Sequence, residues 1–129
     1  MRSEFWDKIL ESTGEENGKK LPFFSLAPME AVTDVVFRHV VTKAARPDVY
    51  YTEFTNSSSF ASPKGIHSTR GRLTFTPDEQ PIIAQIWGSR PADIKFMSEK
   101  LPELGYQAID INMGCPDKAV IKSGGGSDL

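Results

Sequence analysis

The one cysteine of this chain, Cys115, lies on a Gly114-Cys115-Pro116 turn that closes a short apolar run. A turn of that kind aims the side chain out of a strand end, over whatever sits above the sheet. A free thiol titrates near pH ~8.5, so at neutrality it is mostly protonated and better suited to donating a proton than to attacking. No carboxylate-oriented histidine is nearby in sequence, so a Cys/His nucleophile pair has little support. The competing reading of a lone cysteine is a small buried hydrophobe.

Gln85 stands inside the apolar run Pro81-Ile82-Ile83-Ala84-Gln85-Ile86-Trp87. A buried amide without hydrogen-bond partners costs about 1–3 kcal/mol, so Gln85 is either a satisfied core amide or a group that reads a planar heterocycle. Asn112 alternates with Asp110 and precedes the Gly114-Cys115 turn by two residues. It can read the same kind of ring edge or simply form the turn. Gly124-Gly125-Gly126-Ser127 would suit a phosphate nest if a helix followed. No Gly-x-Gly-x-x-Gly follows a strand, which argues against a dinucleotide fingerprint. Lys64, His67, Arg70 and Arg72 fall in one polar stretch and read as solvated surface.

Composition narrows the classes. The chain has 129 residues, 39% hydrophobic and 25% charged, with a formal net charge of -2. That is enough for one core and argues against a wholly basic nucleic-acid wrapper, though not against a local basic patch. A single cysteine excludes an internal disulfide framework and fits a reducing, cytoplasmic setting. Two histidines and no Cys-x-x-Cys make a structural metal site unexpected. No run approaches the ~20 apolar residues of a membrane span. Glu4, Asp7 and Lys8 among the first residues do not suit a signal peptide.

The elements that must carry these residues follow from periodicity. Phe5, Trp6, Ile9 and Leu10 mark one face of a helix over about 4–11, a lid or packing element, and a polar loop is expected over 12–20. Phe23 to Ala27 reads as a buried strand stopped by Pro28. Pro28 to Asp34 is a loop, with Thr33 or Asp34 placed to cap a helix whose buried face is Val36, Phe37, Val40, Val41 and Ala44. Val49 to Phe54 is a second strand, followed by a long polar loop from Thr55 to about Gly71. Pro81 to Trp87 is a third strand. A helix opening at Pro91 buries Ile94, Met97 and Leu101 and ends near Pro102 and Gly105. Gln107 to Asn112 is the fourth strand. Apolar strands alternating with amphipathic helices predict an α/β fold with a parallel sheet, and ligands of such folds bind at the strands' C-terminal ends. Those ends are Pro28–Asp34, Glu53–Asn56, Gln85–Gly88 and Asn112–Pro116.

Four segments occurring in this order carry a family likeness: Ala27-Pro28-Met29-Glu30-Ala31-Val32-Thr33-Asp34, Thr52-Glu53-Phe54, Gln85-Ile86-Trp87-Gly88 and Asp110-Ile111-Asn112-Met113-Gly114-Cys115-Pro116. Together they resemble the tRNA-dihydrouridine synthases from about Phe23 onward. The resemblance implies an FMN-binding (β/α)8 TIM barrel with a helical domain that helps to hold tRNA. It implies reduction of FMN by NADPH, hydride transfer to C6 of a uracil and protonation of C5 by the cysteine. Mapped here, Cys115 would be the general acid, and Asn112 would lie against uracil and flavin. Gln85 would bond the flavin, and the backbone at Pro28, Met29 and Glu30 would border it. A target uridine would have to leave its stack to reach such a site.

The chain departs from the family pattern in having Glu30-Ala31 where Ala-Gly is usual, and Asp128 where a small residue is commoner. A complete barrel takes ~200–250 residues. The sequence therefore reads as the N-terminal half of a barrel, four strands with alternating helices. Residues 1–20 form a preceding helix and loop, and 21–129 part of the catalytic domain. The later barrel half and the helical tRNA-binding domain are missing from it. Half a barrel exposes a sheet edge, so the chain alone is expected to bind FMN weakly or not at all. Two other readings stand beside this one. One is an FMN-barrel oxidoreductase acting on a free pyrimidine, such as a dihydroorotate dehydrogenase relative. The other is a non-catalytic half-barrel that binds RNA or a partner chain.

Overall fold

A computed structural model describes residues 3–129. Helix α1 (Glu4–Ser12) is amphipathic and buries Ile9. Strands β1 (Glu15–Glu16) and β2 (Lys19–Lys20) follow as a hairpin. The expected polar loop is therefore a hairpin, because Asn17 and Gly18 both take positive φ, 54° and 73°, the geometry of a two-residue turn. Glu15 faces Lys20 and Glu16 faces Lys19 across it, so opposite charges pair.

The main sheet is parallel. Its central strand is β5 (Ile82–Trp87), flanked on one side by β6 (Ala108–Ile111). On the other side run β3 (Tyr50–Tyr51) and β4 (Thr55–Asn56). Strand β4 lies beyond the expected strand over 49–54, at the start of the stretch expected to be a loop. Of that expected strand only Tyr50–Tyr51 is strand, interrupted where Thr52 substitutes its side chain for a backbone acceptor. Gln85 N donates to Thr52 Oγ1 at 3.1 Å, while Thr52 N still donates to Ile83 O at 3.0 Å.

The expected buried strand at Phe23 to Ala27 is not one. It is reduced to a single parallel bridge, Ser25 to Val49. Phe23 is 36% and Phe24 69% exposed. The segment meets the sheet at that one bridge. Phe23 lies against the Trp6 ring and Leu26 packs on the core while Phe24 faces solvent, so the segment's apolar composition brings only partial burial.

Helix α2 (Val35–Ala44) starts at an Asp34 cap, whose Oδ1 accepts from Phe37 N at 2.8 Å. Its expected apolar face is largely solvent-facing: Val36 and Val40 are exposed, and the fully buried side chain is Arg38. Arg38 sits opposite an equally buried Glu79, with Nε donating to Oε1 at 2.5 Å. Its Nη1 donates to Thr33 O at 2.8 Å and its Nη2 to Thr74 O at 2.7 Å. A guanidinium satisfied in this way tolerates burial that an unpaired charge does not.

The long polar stretch after Asn56 is helical rather than a loop. Asn56 caps α3 (Ser57–Ala61), and α4 (Gly65–Thr69) packs against it. A Cβ on Gly65 would lie 2.0 Å from Phe60 O, so this approach requires glycine. Helix α5 (Pro91–Lys100) begins at Pro91 and continues into a 3-10 turn, Leu101–Leu104, ended by left-handed Gly105. Met97 and Leu101 are buried as the spacing predicts.

The pleat divides the sheet's side chains. Tyr50, Ile82, Ala84 and Ile86 face Phe60, Leu73, Met97, Leu101 and Tyr106 under the helices. Val49 and Ile83 face the other way and meet Ile9, Phe5 and Trp6 of α1. Helix α1 shares a crevice with Asp48, Pro81 and Gln107, residues that precede the strands, so it closes the N-terminal end of the sheet as a packing element. The opposite end is left to the loops.

Tyr106 is buried in the first of these cores and donates to Leu73 O at 2.8 Å. Burial pushes its phenol well above the usual value, Arg38 opposes this and Glu79 adds to it. The unfolded phenol then ionises first, so this stabilisation is whole below pH ~10 and is lost as pH rises beyond it. Tyr106→Phe should flatten the alkaline limb of a urea-melt pH profile, at the loss of one hydrogen bond worth about 1 kcal/mol. An unchanged limb would place the alkaline sensitivity elsewhere.

Candidate functional site

Strand β5 carries Gln85, which is 7% exposed, and β6 carries Asp110 directly opposite it in register. Gln85 Nε2 donates to Asp110 Oδ2 at 2.6 Å. Its Oε1 accepts from Asn112 Nδ2 at 3.2 Å. Asn112 Oδ1 in turn accepts from Gly114 N at 3.2 Å and Cys115 N at 3.0 Å. Asn112 is thus both a turn former and a bridge, and the turn it forms presents half-buried Cys115. Gln85, Asn112 and Cys115, flagged separately in the sequence, belong to one hydrogen-bonded chain. Nearby, burial raises the Tyr51 phenol above its usual value, and the charge of Asp110 raises it further.

The glycine-rich tail buttresses this turn. Helix α6 (Lys118–Lys122) is capped by Asp117, and the chain then folds back so that Ser127 N donates to Cys115 O at 3.1 Å. Gly124 N and Gly125 N donate to Ile121 O and Val120 O, so these amides are engaged by the protein and do not form an anion nest. A Cβ on Gly125 would lie 2.8 Å from the Trp87 ring. One on Gly126 would lie 2.5 Å from Cys115 O, at a φ of 62°. Gly126→Ala should therefore destabilise the protein by at least about 1–2 kcal/mol from the left-handed backbone alone. The clash should also shift the Cys115 turn, changing the rate at which a thiol reagent labels Cys115. An unaltered melting curve and labelling rate would contradict the buttress.

The loop from Pro28 to Asp34 is held from below. Thr33 Oγ1 accepts from Met29 N at 2.9 Å and donates to Met29 O at 3.1 Å. Ala31, at a φ of 57°, donates its N–H to Glu53 Oε1 at 2.5 Å. Glu53 is 6% exposed and supplies a carboxylate acceptor where a left-handed alanine needs support. Glu30 reaches the other way and pairs with Arg72 at 2.9 Å.

A cleft of about 470 Å³ opens here, lined among others by Glu30, Asn56, Arg72, Trp87 and Asp117. Glu30 therefore shares a cleft with the loop that follows Cys115. Pro28 and Met29 lie on the same loop as Glu30 and share no hydrogen bond with the Gln85 chain. Of the basic residues, Arg72 joins the cleft, whereas His67 and Arg70 line a separate hollow with Phe60, Leu73 and Phe75. Among the described residues no group of three or more His, Cys, Asp or Glu side chains is arranged to hold a metal ion. No helix among them is long and apolar enough to cross a membrane.

The sequence expectations give no role to Asp110 or to the Arg38–Glu79 pair, and give Glu53 only a place at a strand end. Asp110 had a usable signal: aligning the apolar runs of the third and fourth strands places it beside Gln85. Arg38 had one too, as the lone cation within Val35-Val36-Phe37-Arg38-His39-Val40-Val41.

Comparison with known proteins gives the chain a family. A sequence model described as dihydrouridine synthase matches residues 25–129. A Staphylococcus aureus protein (strain COL) named "Probable tRNA-dihydrouridine synthase" is 54% identical over all 129 residues, which cover 36% of its length. A Staphylococcus epidermidis protein of the same name is also 54% identical over that span. The Bacillus subtilis (strain 168) protein named "Probable tRNA-dihydrouridine synthase 2" is 62% identical over 108 residues, 84% of this chain and 33% of that one. The chain thus spans about a third of the length of the curated relatives it matches. The family match takes in both the loop at Pro28 and the Cys115 turn, and the chain belongs to the dihydrouridine synthase family.

Proposed function

We propose that this chain is part of a flavin-dependent enzyme that reduces uridine in tRNA to 5,6-dihydrouridine, with Cys115 as the proton donor. The observation that carries the reading is the hydrogen-bonded chain from the Gln85 amide through the Asn112 amide to the Cys115 backbone at one sheet end. It supports the two amides as ring readers and the thiol as the acid. The parallel sheet is then the first part of a (β/α)8 barrel. Residues 21–129 belong to the catalytic domain and 1–20 precede it. The setting is cytoplasmic, where tRNA is the substrate.

The residues present suit FMN. A primary amide has two N–H donors and two acceptor lone pairs. Gln85 uses one of each, which leaves an N–H and a lone pair on a nearly buried group. Asn112 uses both lone pairs and one N–H, which leaves one N–H. Donors and an acceptor left together complement the alternating carbonyl and N–H edge of an isoalloxazine or a uracil. Gln85 and Asn112 would hold the flavin ring, and the backbone at Pro28, Met29 and Glu30 would border it. When bound, FMN supplies the hydride for C6 after reduction by NADPH.

The chain's own residues do the rest. The Cys115 thiol holds a proton at Sγ and gives it to C5, so the double bond gains one hydride and one proton. No depressed pKa is needed for that role. Asn112 orients both the uracil edge and the turn that carries the thiol. Arg72 and Glu30 sit at the rim of the cleft, where an RNA backbone would pass.

The test supplies the full-length protein that carries this sequence with FMN and NADPH, then offers unmodified tRNA or free pyrimidines. Dihydrouridine in the digested tRNA, with NADPH consumed in step, is the expected result. Turnover of free uracil or dihydroorotate without dihydrouridine in tRNA would overturn the reading.

A further inference from the structure

We propose that Asp110 is a positioning residue for this reaction, fixing the orientation of the Gln85 amide from the end opposite the Asn112 turn. The inference rests on the role given above to Gln85 and Asn112.

The argument is one of hydrogen-bond polarity. Amide oxygen and nitrogen have nearly the same shape, so an isolated Gln–Asn pair fits a pocket equally well in either orientation. Here both ends of the pair are committed. At one end lies the Asp110 carboxylate, which accepts and does not donate when ionised. Gln85 must therefore turn its NH2 toward it, as the 2.6 Å bond from Nε2 to Oδ2 records. Oε1 then faces Asn112, which must answer with its own NH2. At the far end stand two backbone N–H groups, Gly114 and Cys115, which only donate, and Asn112 Oδ1 meets both.

An acceptor-only terminus and a donor-only terminus thus hold two flippable amides in a single arrangement. The same N–H of Asn112, the same N–H of Gln85 and the same Gln85 lone pair are always the ones left for a ligand. Asp110 reaches this position by sheet register, since the Gln85↔Asp110 pair places both side chains on the face away from the helices. Its strand neighbours Ile109 and Ile111 point to the opposite face and are partly exposed. A carboxylate on an otherwise apolar strand is accounted for by its bond to Gln85. Preorganised donors act because they need no reorientation during reaction, and a misplacement of about 1 Å can lower a rate by on the order of 100-fold.

The experiment is a double-mutant cycle in the full-length protein, read as kcat/KM for tRNA. Asp110→Ala and Gln85→Ala are made singly and together, with Asp110→Asn as a variant that keeps the packing. Asp110→Ala should lose on the order of 100-fold. Asp110→Asn, which can offer either an oxygen or an NH2, should lose less. Neither change should matter once Gln85 is already alanine, because a residue acting only through another has no effect in its absence.

A second readout needs no flavin and no turnover. In the 15N-labelled apoprotein the side-chain NH2 resonances of Gln85 should be dispersed and slow to exchange. Asp110→Ala should collapse them and shift those of Asn112, and Asp110→Asn should do the same to a smaller degree. Additive losses in the cycle, or unchanged Gln85 resonances in the Asp110 variants, would overturn the inference while leaving the enzyme reading intact. A wild-type protein that forms no dihydrouridine would instead remove the reading beneath it.

Discussion

Glu79→Ala should destabilise this protein by about 3–5 kcal/mol, because it leaves the Arg38 guanidinium buried without its counter-charge. That is a large part of the ~5–15 kcal/mol that holds a typical domain folded. Both side chains are wholly inaccessible, and each is satisfied on several sides. Besides Arg38, the Glu79 carboxylate accepts from Thr76 N and Thr76 Oγ1, closing the 3-10 turn Pro77–Glu79. Arg38 ties the same carboxylate to Thr33 O and Thr74 O. The damage should therefore reach the site, since Thr33 is the residue that clamps Met29. Glu79→Gln keeps most of the shape and should lie between wild type and alanine. Replacing the pair together with apolar residues of similar volume should recover much of the loss, as buried ion pairs often allow. Urea melts of the full-length protein measure all three. A loss below about 1 kcal/mol for Glu79→Ala would mean the pair is not the buried one described.

What the sequence made legible has a physical pattern. Helix α5 and strand β5 came out close to their observed bounds because periodicity, Pro91 and left-handed Gly105 act locally. Asp34 was one of two expected caps and is the one used. Gln85 was flagged because an amide in an apolar strand must have partners. Their identity, Asp110 and Asn112, depends on sheet register, which residue order alone does not show.

The misreadings share one cause: composition was taken to decide burial and local structure, whereas these depend on what packs against and caps each segment. Phe24, Val36 and Val40 are apolar and exposed, while Arg38 and Glu79 are charged and buried. The polar stretch after Asn56 folds into α3 and α4 because Asn56 caps it and Phe60 anchors it, against its Ser-rich composition. The glycine tail looked like a phosphate nest, yet its lack of side chains serves closeness to Trp87 and Cys115.

The second large effect concerns Cys115, and it bears on the central claim. Asn112 and the glycine tail hold the Cys115 backbone from two sides, through bonds to its N–H and its carbonyl. Neither bond involves the thiol, so Cys115→Ala should leave the turn, the fold and the Gln85–Asn112 pair in place. What it removes is the proton for C5, and losing a positioned general acid lowers a rate by about 10²- to 10⁴-fold. The decisive measurement is the single-turnover rate of dihydrouridine formation by the flavin-reduced full-length protein with tRNA, Cys115→Ala against wild type. A fall within that range, with flavin content, melting curve and tRNA affinity unchanged, is the predicted result. A variant that forms dihydrouridine at the wild-type rate would contradict the assignment of Cys115 as the acid.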